Sequence, residues 1–181
     1  GVTMGISVPT KIAAGGSKRK IYIRITRRLI SLILLGIVYN GGLQFKGLEN
    51  TRIASVLGLI GIGYFFASVI VIHCKVKGQV LWMLGLLLGY WALLEYYPVP
   101  EFGAGVLTPE GSFTTYIDKL LLPGKMYKQY DPEGIMCAVS GVSTALAGAI
   151  TGQWLNRTSR KDWTKALGLF CAAIVCLGIG K

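Results

Sequence analysis

Mostly apolar residues fill five long runs: Leu29 to Phe45, Ile53 to Cys74, Val80 to Tyr97, Gly134 to Leu155 and Trp163 to Gly180. A helix needs about 20 such residues to cross roughly 30 Å of hydrocarbon, and shorter runs suffice when flanking side chains reach back to the interface. Each run therefore predicts a membrane-spanning helix. The stretch from Pro98 to Gly134 is polar and lies between two of these runs, so it predicts one long loop at the surface. Gly1 to Val8 has the small, apolar character of the end of a further span whose beginning is missing. The fold expected is all-α: a polytopic transmembrane helical bundle of about five full spans plus a truncated N-terminal one, with one long outer loop. On this reading residues 1–181 form a single incomplete transmembrane domain, truncated at both ends.

Charge adds an orientation. The chain is 52% hydrophobic yet carries a net charge of +11, and its mean hydropathy is +0.56. Lys and Arg near the ends of short loops favour the cytoplasmic side. Lys11, the basic residues from Lys18 to Arg28, Lys75, Lys77 and those from Arg157 to Lys165 all fall on one side, with Asp162 as the acid among them. The other side holds every remaining acid, Glu49, Glu95, Glu101, Glu110, Asp118, Asp131 and Glu133, beside only a few basic residues. The loop from residue 98 to 133 is thus expected outside, periplasmic if the membrane is a bacterial inner membrane. The positive charge is accounted for by topology. No aromatic stacking platform or binding motif accompanies it, which sets a nucleic-acid partner aside.

Cys74, Cys137, Cys171 and Cys176 lie within or at the ends of the predicted spans. They have neither the loop positions of a disulfide framework nor a CxxC spacing, so they read as packing residues, and no metal site is expected. The sequon Asn156-Arg157-Thr158 falls on the cytoplasmic side, where no glycan is added. Small residues are arranged for close helix packing. Gly134, Ala138, Gly141, Ala145, Gly148 and Gly152 make one stripe down the fourth span, Gly85 and Gly89 form a GxxxG pair in the third, and Gly58, Gly61 and Gly63 mark the second. Tyr90, Trp91, Tyr96 and Tyr97 gather where an interfacial belt would lie.

The candidate chemistry is at Tyr130-Asp131-Pro132-Glu133-Gly134, which puts two carboxylates at the mouth of an apolar helix in a chain poor in acids. Asp131 followed by Pro132 and Glu133 has the form of a helix start, with an N-cap, a first-turn proline and a charge favourable to the dipole. The same carboxylates could bind a cationic amine or accept its proton. Arg52 is predicted on the same side, either paired with one of these acids or with an acceptor, or simply anchored at the interface.

In combination, Pro98-Val99-Pro100, Tyr116-Ile117-Asp118-Lys119-Leu120-Leu121-Leu122, the motif from Tyr130 to Gly134, and Arg52-Ile53-Ala54-Ser55-Val56-Leu57 resemble the heparan-α-glucosaminide N-acetyltransferase family and its bacterial relatives. The chain departs from that pattern at Gly58-Leu59, where the family usually has Gln or Gly followed by Arg. The His that the family uses in acetyl transfer lies ahead of the segment that aligns with Gly1. The one His here, His73, sits at the cytoplasmic end of the second span.

The resemblance implies an acyltransferase-like domain in a membrane N-acetyltransferase. Such an enzyme would take acetyl-CoA from the cytoplasm as co-substrate, hold no bound cofactor, and deliver the acetyl group to an amino-sugar or glycan amine on the far side. Glu133, Asp131 and Arg52 are then the candidates for acceptor binding or proton transfer. Lys18, Arg19, Lys20, Arg24, Arg27 and Arg28 are the candidates for the CoA phosphates, beside their reading as topology alone. The partners expected are the lipid bilayer, acetyl-CoA and the acceptor, with a homodimer as one assembly. The 181-residue segment by itself is expected to be inactive. Two other classes stay open: a transporter or flippase for a sugar-linked substrate, with Tyr39, Asn40 and Gln44 lining its path, and a non-catalytic membrane subunit.

Overall fold

The structure, a computed structural model, describes residues 1–15, 17–41, 52–122, 124, 126–128, 130–156 and 162–179. Seven helices form among them: α1 (Val2–Ala13), α2 (Lys18–Tyr39), α3 (Val56–His73), α4 (Val76–Tyr96), α5 (Phe113–Leu121), α6 (Ile135–Leu155) and α7 (Asp162–Ile179). No strand is present among these residues, only the isolated bridges Arg52 to Gly124 and Val99 to Gly103. α3, α4 and α6 are long and apolar enough to cross a membrane by length and composition. α2 and α7, where the apolar pattern predicts two further spans, are 22 and 18 residues long. The side chains of α4 bear out an apolar surrounding, since Leu81, Trp82, Leu87, Leu88 and Trp91 all point outward. A water-soluble chain rarely leaves so large a contiguous apolar face uncovered.

α6 is the centre of the bundle, packed by α1, α3 and α4. The core is a seam of Met4 and Val8 from α1, Ala67 and Val71 from α3, and Val142, Leu146 and Ala149 from α6. Of the small-residue stripe predicted on α6, Gly148 and Gly152 take the closest backbone contacts, Ala149 beside them does the same, and Gly134 lies ahead of the helix. A side chain at Gly63 would press on the Gly141 carbonyl, one at Gly5 would run into the Ala149 backbone, and Gly148 and Gly152 lie against Gly1 and Val2. Backbones that approach this closely gain dispersion contacts along the whole seam. Gly85 and Gly89 do not behave as expected: among the described residues nothing lies within 4 Å of where their side chains would be, so this GxxxG pair packs against none of the described helices.

α2 is a longer helix than the apolar run of the expected first span. Its helix begins at Lys18, not at Leu29, and ends at Tyr39; residues 42–45 of the predicted run lie outside the described residues. Its alignment against α3 is antiparallel and is fixed at five levels. Tyr22 meets His73, the Arg28 guanidinium stacks 4.6 Å from the Tyr64 ring centre, Leu29 and Leu32 cover Gly61, Gly36 abuts Ser55, and Asn40 bonds the carbonyls of Arg52 and Ala54. Arg24, Arg27 and Arg28 therefore lie on the part of α2 that runs alongside the His73 half of α3.

The two ends of the bundle are closed differently. At the basic end Gln79 is buried; its amide donates to the Cys74 carbonyl (2.8 Å), and its oxygen accepts from Gln153 on α6 (2.7 Å). One side chain thus joins the end of α3, the start of α4 and the last turns of α6. At the other end, the loop end, the predicted long loop folds back as the short helix α5, capped by the buried Ser112, whose hydroxyl accepts from the Thr115 amide. Tyr97 packs on α5 through Phe113 (ring centres 4.6 Å apart) and Tyr116 (6.3 Å), so it joins the loop to α4. Tyr96 stays exposed, edge-on to Trp91, as an interfacial belt requires.

Candidate functional site

Arg52, Asp131 and Glu133 come together at the loop end, where the approaches to α3 and α6 meet. The Arg52 guanidinium grips Asp131 at two points, Nε to Oδ2 at 2.9 Å and Nη2 to Oδ1 at 2.6 Å, and Nη2 also bonds Glu133 Oε2. A planar fork matched to a carboxylate is the geometry arginine provides and lysine does not. Tyr127 lies beneath the guanidinium, 5.0 Å from ring centre to Cζ. The Asn40 amide donates to the Arg52 carbonyl (3.2 Å) and to the Ala54 carbonyl (2.7 Å), so the end of α2 fixes the backbone from which Arg52 projects.

Asp131 is not the N-cap of α6, as its place before Pro132 predicts. Its oxygens are taken by Arg52 and by the amides of Tyr127 (3.2 Å) and Glu133 (3.1 Å), which makes it the centre of the turn before the helix. α6 starts instead at Ile135 after Gly134, and the Ile135 amide donates to Asp118 of α5 (2.8 Å). A side chain on Gly134 would collide with that carboxylate, so the position requires glycine for space. Asp118 is thus a structural anchor that local pattern could not reveal: cap and capped amide are 17 residues apart.

The charges settle accordingly. Burial pushes the Asp131 carboxyl up, but the Arg52 hydrogen bond, the Glu133 and Tyr127 amides and the Arg52 charge outweigh it, and the group is held below its ordinary value. Arg52 is raised, chiefly by its bond to Asp131. Asp118 goes the other way: burial raises it, nearby Asp131 adds to the rise, and the Ile135 amide only partly offsets them.

The two acids that the sequence leaves as alternatives divide the work. The Asp131 side chain is 0% exposed, while those of Arg52 and Glu133 are 20% and 19% exposed. A cavity of about 400 Å³ opens beside them, walled by Gly36, Tyr39, Asn40, Arg52, Ser55, Val56, Leu57 and Glu133. Glu133 is on its wall and Asp131 is not. Tyr39, strongly exposed, stands over it, and Ser55 caps α3 by accepting from the Gly58 amide (3.0 Å). Tyr39 and Asn40, candidates for a transport path, are therefore walls of this cavity; Gln44 lies outside the described residues. The chamber offers a guanidinium, a carboxylate, an amide and a hydroxyl around one polar guest.

The CoA-phosphate candidates Lys18, Arg19, Lys20, Arg24, Arg27 and Arg28 lie on α2 away from this cavity, all of them exposed. A second cavity, of about 360 Å³, sits toward the basic end between α4, α6 and α7, with Val76, Gln153, Trp154 and Gly168 on its wall, and none of those basic residues borders it. His73 ends α3 at the basic end, where its ring bonds the Val69 carbonyl (3.0 Å) and the Tyr22 hydroxyl (3.3 Å), at the opposite end of α3 from Arg52 and Glu133. The Asn156 sequon runs into residues outside the described set.

Known proteins are similar in sequence to this chain along nearly its whole length. Heparan-α-glucosaminide N-acetyltransferase of Homo sapiens is 27% identical across 96% of the chain, and that of Mus musculus is 26% identical across 98%. The chain spans 35% and 34%, about a third, of the length of these relatives. No family model matches.

Proposed function

We propose that this chain is part of an integral-membrane acetyltransferase that moves an acetyl group from acetyl-CoA, entering at the basic end, to an amino-sugar amine at the loop end. The observation that carries the reading is the cavity at the loop end, with the Glu133 carboxylate on its wall and Arg52 beside it. It is supported by the similarity to two N-acetyltransferases. The loop end is then periplasmic, or faces the equivalent compartment, and the five-span count and positive-inside orientation go with it.

The chemistry fits this wall. A neutral amine attacks the thioester carbonyl, the carbon–sulfur bond breaks, and the CoA thiolate leaves and takes up a proton. The amine arrives as an ammonium and must lose a proton before attack and another after it. Glu133 is positioned to hold the ammonium and accept its proton, while Arg52 fixes the carboxylate's direction. The acetyl group reaches the amine directly or through an imidazole relay. Asp131 has its oxygens already bonded and serves to place Arg52.

The test uses membranes containing the full-length protein, with labelled acetyl-CoA and glucosamine. Acetyl transfer to the amine is expected, and Glu133→Gln should lower turnover by about 10²-fold or more, the range of general acid–base groups. Absence of transfer to any amino sugar would sink the proposal. A fully active Glu133→Gln protein would remove Glu133 from the chemistry.

A further inference from the structure

Another cavity opens at the loop end and has no part in the chemistry above. It holds about 280 Å³ and lies between the last turns of α4, the start of α5 and the turn before α6. Tyr130, Asp131 and Pro132 wall it on one side, and the next residue of the same turn, Glu133, walls the cavity beside Arg52. The two chambers are therefore neighbours across a single turn, and Pro132 is exposed at their boundary.

Hydroxyls make up much of its polar wall, and their hydrogen bonds fix what each has left to offer. Ser112 has one hydrogen and gives it to Thr115 Oγ1 (3.2 Å), which in turn donates to the Pro109 carbonyl (2.6 Å). In the bond between Ser112 and Thr114 (2.9 Å) Thr114 is then the donor, so its oxygen keeps lone pairs for a guest. Thr108 is the reverse: its oxygen accepts from the Gly111 amide (3.2 Å), and its own hydrogen has no acceptor among the described residues. A donor and an acceptor on one wall match a guest's hydroxyl groups, which both give and take. Tyr90, Leu94 and Leu107 add the apolar surface that the C–H faces of a sugar ring pack against. The charged wall residue among those described, Asp131, is not available to a guest: its side chain is fully buried, and its oxygens are bonded to Arg52 and to two amides. A guest with a charge of its own would find no counter-charge on the described walls.

We propose that this cavity is a second acceptor subsite, which takes an uncharged pyranose unit linked to the amine-bearing sugar. The first unit rests on the acetyltransferase reading; the second is assigned from the cavity alone. The acceptor is then an oligosaccharide with a neutral second unit, and Thr108 and Thr114 set that preference. Free glucosamine fills the first chamber only.

The experiment uses membranes containing the full-length protein, labelled acetyl-CoA and three acceptors: glucosamine, glucosaminyl-glucose and glucosaminyl-glucuronic acid. For the neutral disaccharide kcat/KM is expected about tenfold above that for glucosamine, through a lower KM, as two added hydrogen bonds provide. The acidic disaccharide should show no such gain. Thr114→Val should bring the neutral disaccharide to within about twofold of glucosamine. Thr114→Ser, which keeps the hydroxyl, should preserve the gain, and Thr108→Val and Thr108→Ser should divide in the same way.

Equal kcat/KM for all three acceptors would overturn the subsite and leave the acetyltransferase reading intact. An equal gain for the acidic disaccharide would overturn the uncharged second unit. Binding to the purified full-length protein is read separately by saturation-transfer NMR without acetyl-CoA. If no amino sugar is acetylated, the acetyltransferase reading falls and binding decides the subsite. Tighter binding of glucosaminyl-glucose than of glucosamine, lost in Thr114→Val and kept in Thr114→Ser, would sustain it, and equal binding would overturn it.

Discussion

Arg52 and Asp131, 79 residues apart in the chain, are joined by a two-point hydrogen bond that ties the entry of α3 to the entry of α6. Neither residue lies in a helix. Their bond sets the direction of the guanidinium that also reaches Glu133, so the candidate site depends on a contact no local pattern specifies.

Removing the guanidinium should cost stability as well as function. Arg52→Gln leaves the buried Asp131 carboxylate with only its two backbone amides. Breaking a buried pair from one side costs about 3–5 kcal/mol, and the low end applies because the Arg52 side chain is 20% exposed. Thermal unfolding in detergent measures it. Arg52→Lys should recover only part, since an ammonium cannot match the carboxylate at two points; unchanged unfolding in both variants would mean that the pair holds nothing together.

Acid should loosen the loop end. Asp131 is held below its ordinary pKa of 3.8, so its contribution is complete above that value and is lost as pH falls through 3.8 toward the folded-state value. Asp118 is raised, so its contribution has the opposite sign: it is complete below 3.8 and declines as pH rises through the folded-state value. Unfolding temperatures from pH 6 to pH 3 should fall at the acid end for the native protein and fall less for Asp131→Asn. Asp118→Asn, which still offers an oxygen to the Ile135 amide, should flatten the decline above pH 4.

Gly134→Ala tests the cap borrowed from α5. The added methyl group would meet the Asp118 carboxylate, so α5 must shift or the capping bond must open. The loss expected is about 1–3 kcal/mol, as for overpacking together with a lost cap. Paired with Asp118→Ser, which shortens the obstructing side chain, the alanine should cost less than the two changes separately. Simple additivity would show that the residues do not meet.

Orientation is open to labelling. Glu110→Cys, on the exposed loop ahead of α5, should react with an impermeant reagent in intact cells, and Lys77→Cys, exposed at the basic end, should react only after the membrane is opened. Ser112 is unsuitable for this because it is buried as the α5 cap. The reverse pattern would invert the proposed topology.

The α6 stripe is legible in the sequence because close packing in an apolar solvent needs small residues on one face, and the steps from Gly134 to Gly152 follow one face of a helix. Arg52, Asp131 and Glu133 are legible as a set because charges are scarce in the apolar half of the chain. The cap expected of Asp131 fails by competition: a carboxylate has two oxygens, and Arg52 with two nearer amides engages both, so Asp118 supplies the cap from another helix. The start of α2 escapes hydropathy because hydropathy reads an arginine as the end of a span. Helical spacing carries on through Ile21, Ile25, Leu29, Leu32 and Gly36 regardless of the charges between them.

The polar fastenings at the two ends of the bundle bear on how the molecule can move. Gln79 locks α4 to α6 and to the end of α3 on one face, and Arg52 locks the entries of α3 and α6 on the other. Between them, α3 and α6 touch backbone to backbone where Gly63 meets Gly141. A carrier that exposes its cargo first to one side and then to the other would have to rupture one lock in every cycle. A frame bolted at both faces holds the cavity at the loop end in place, and side chains at its mouth, such as Tyr39 at the end of α2, are what can swing aside to admit a guest.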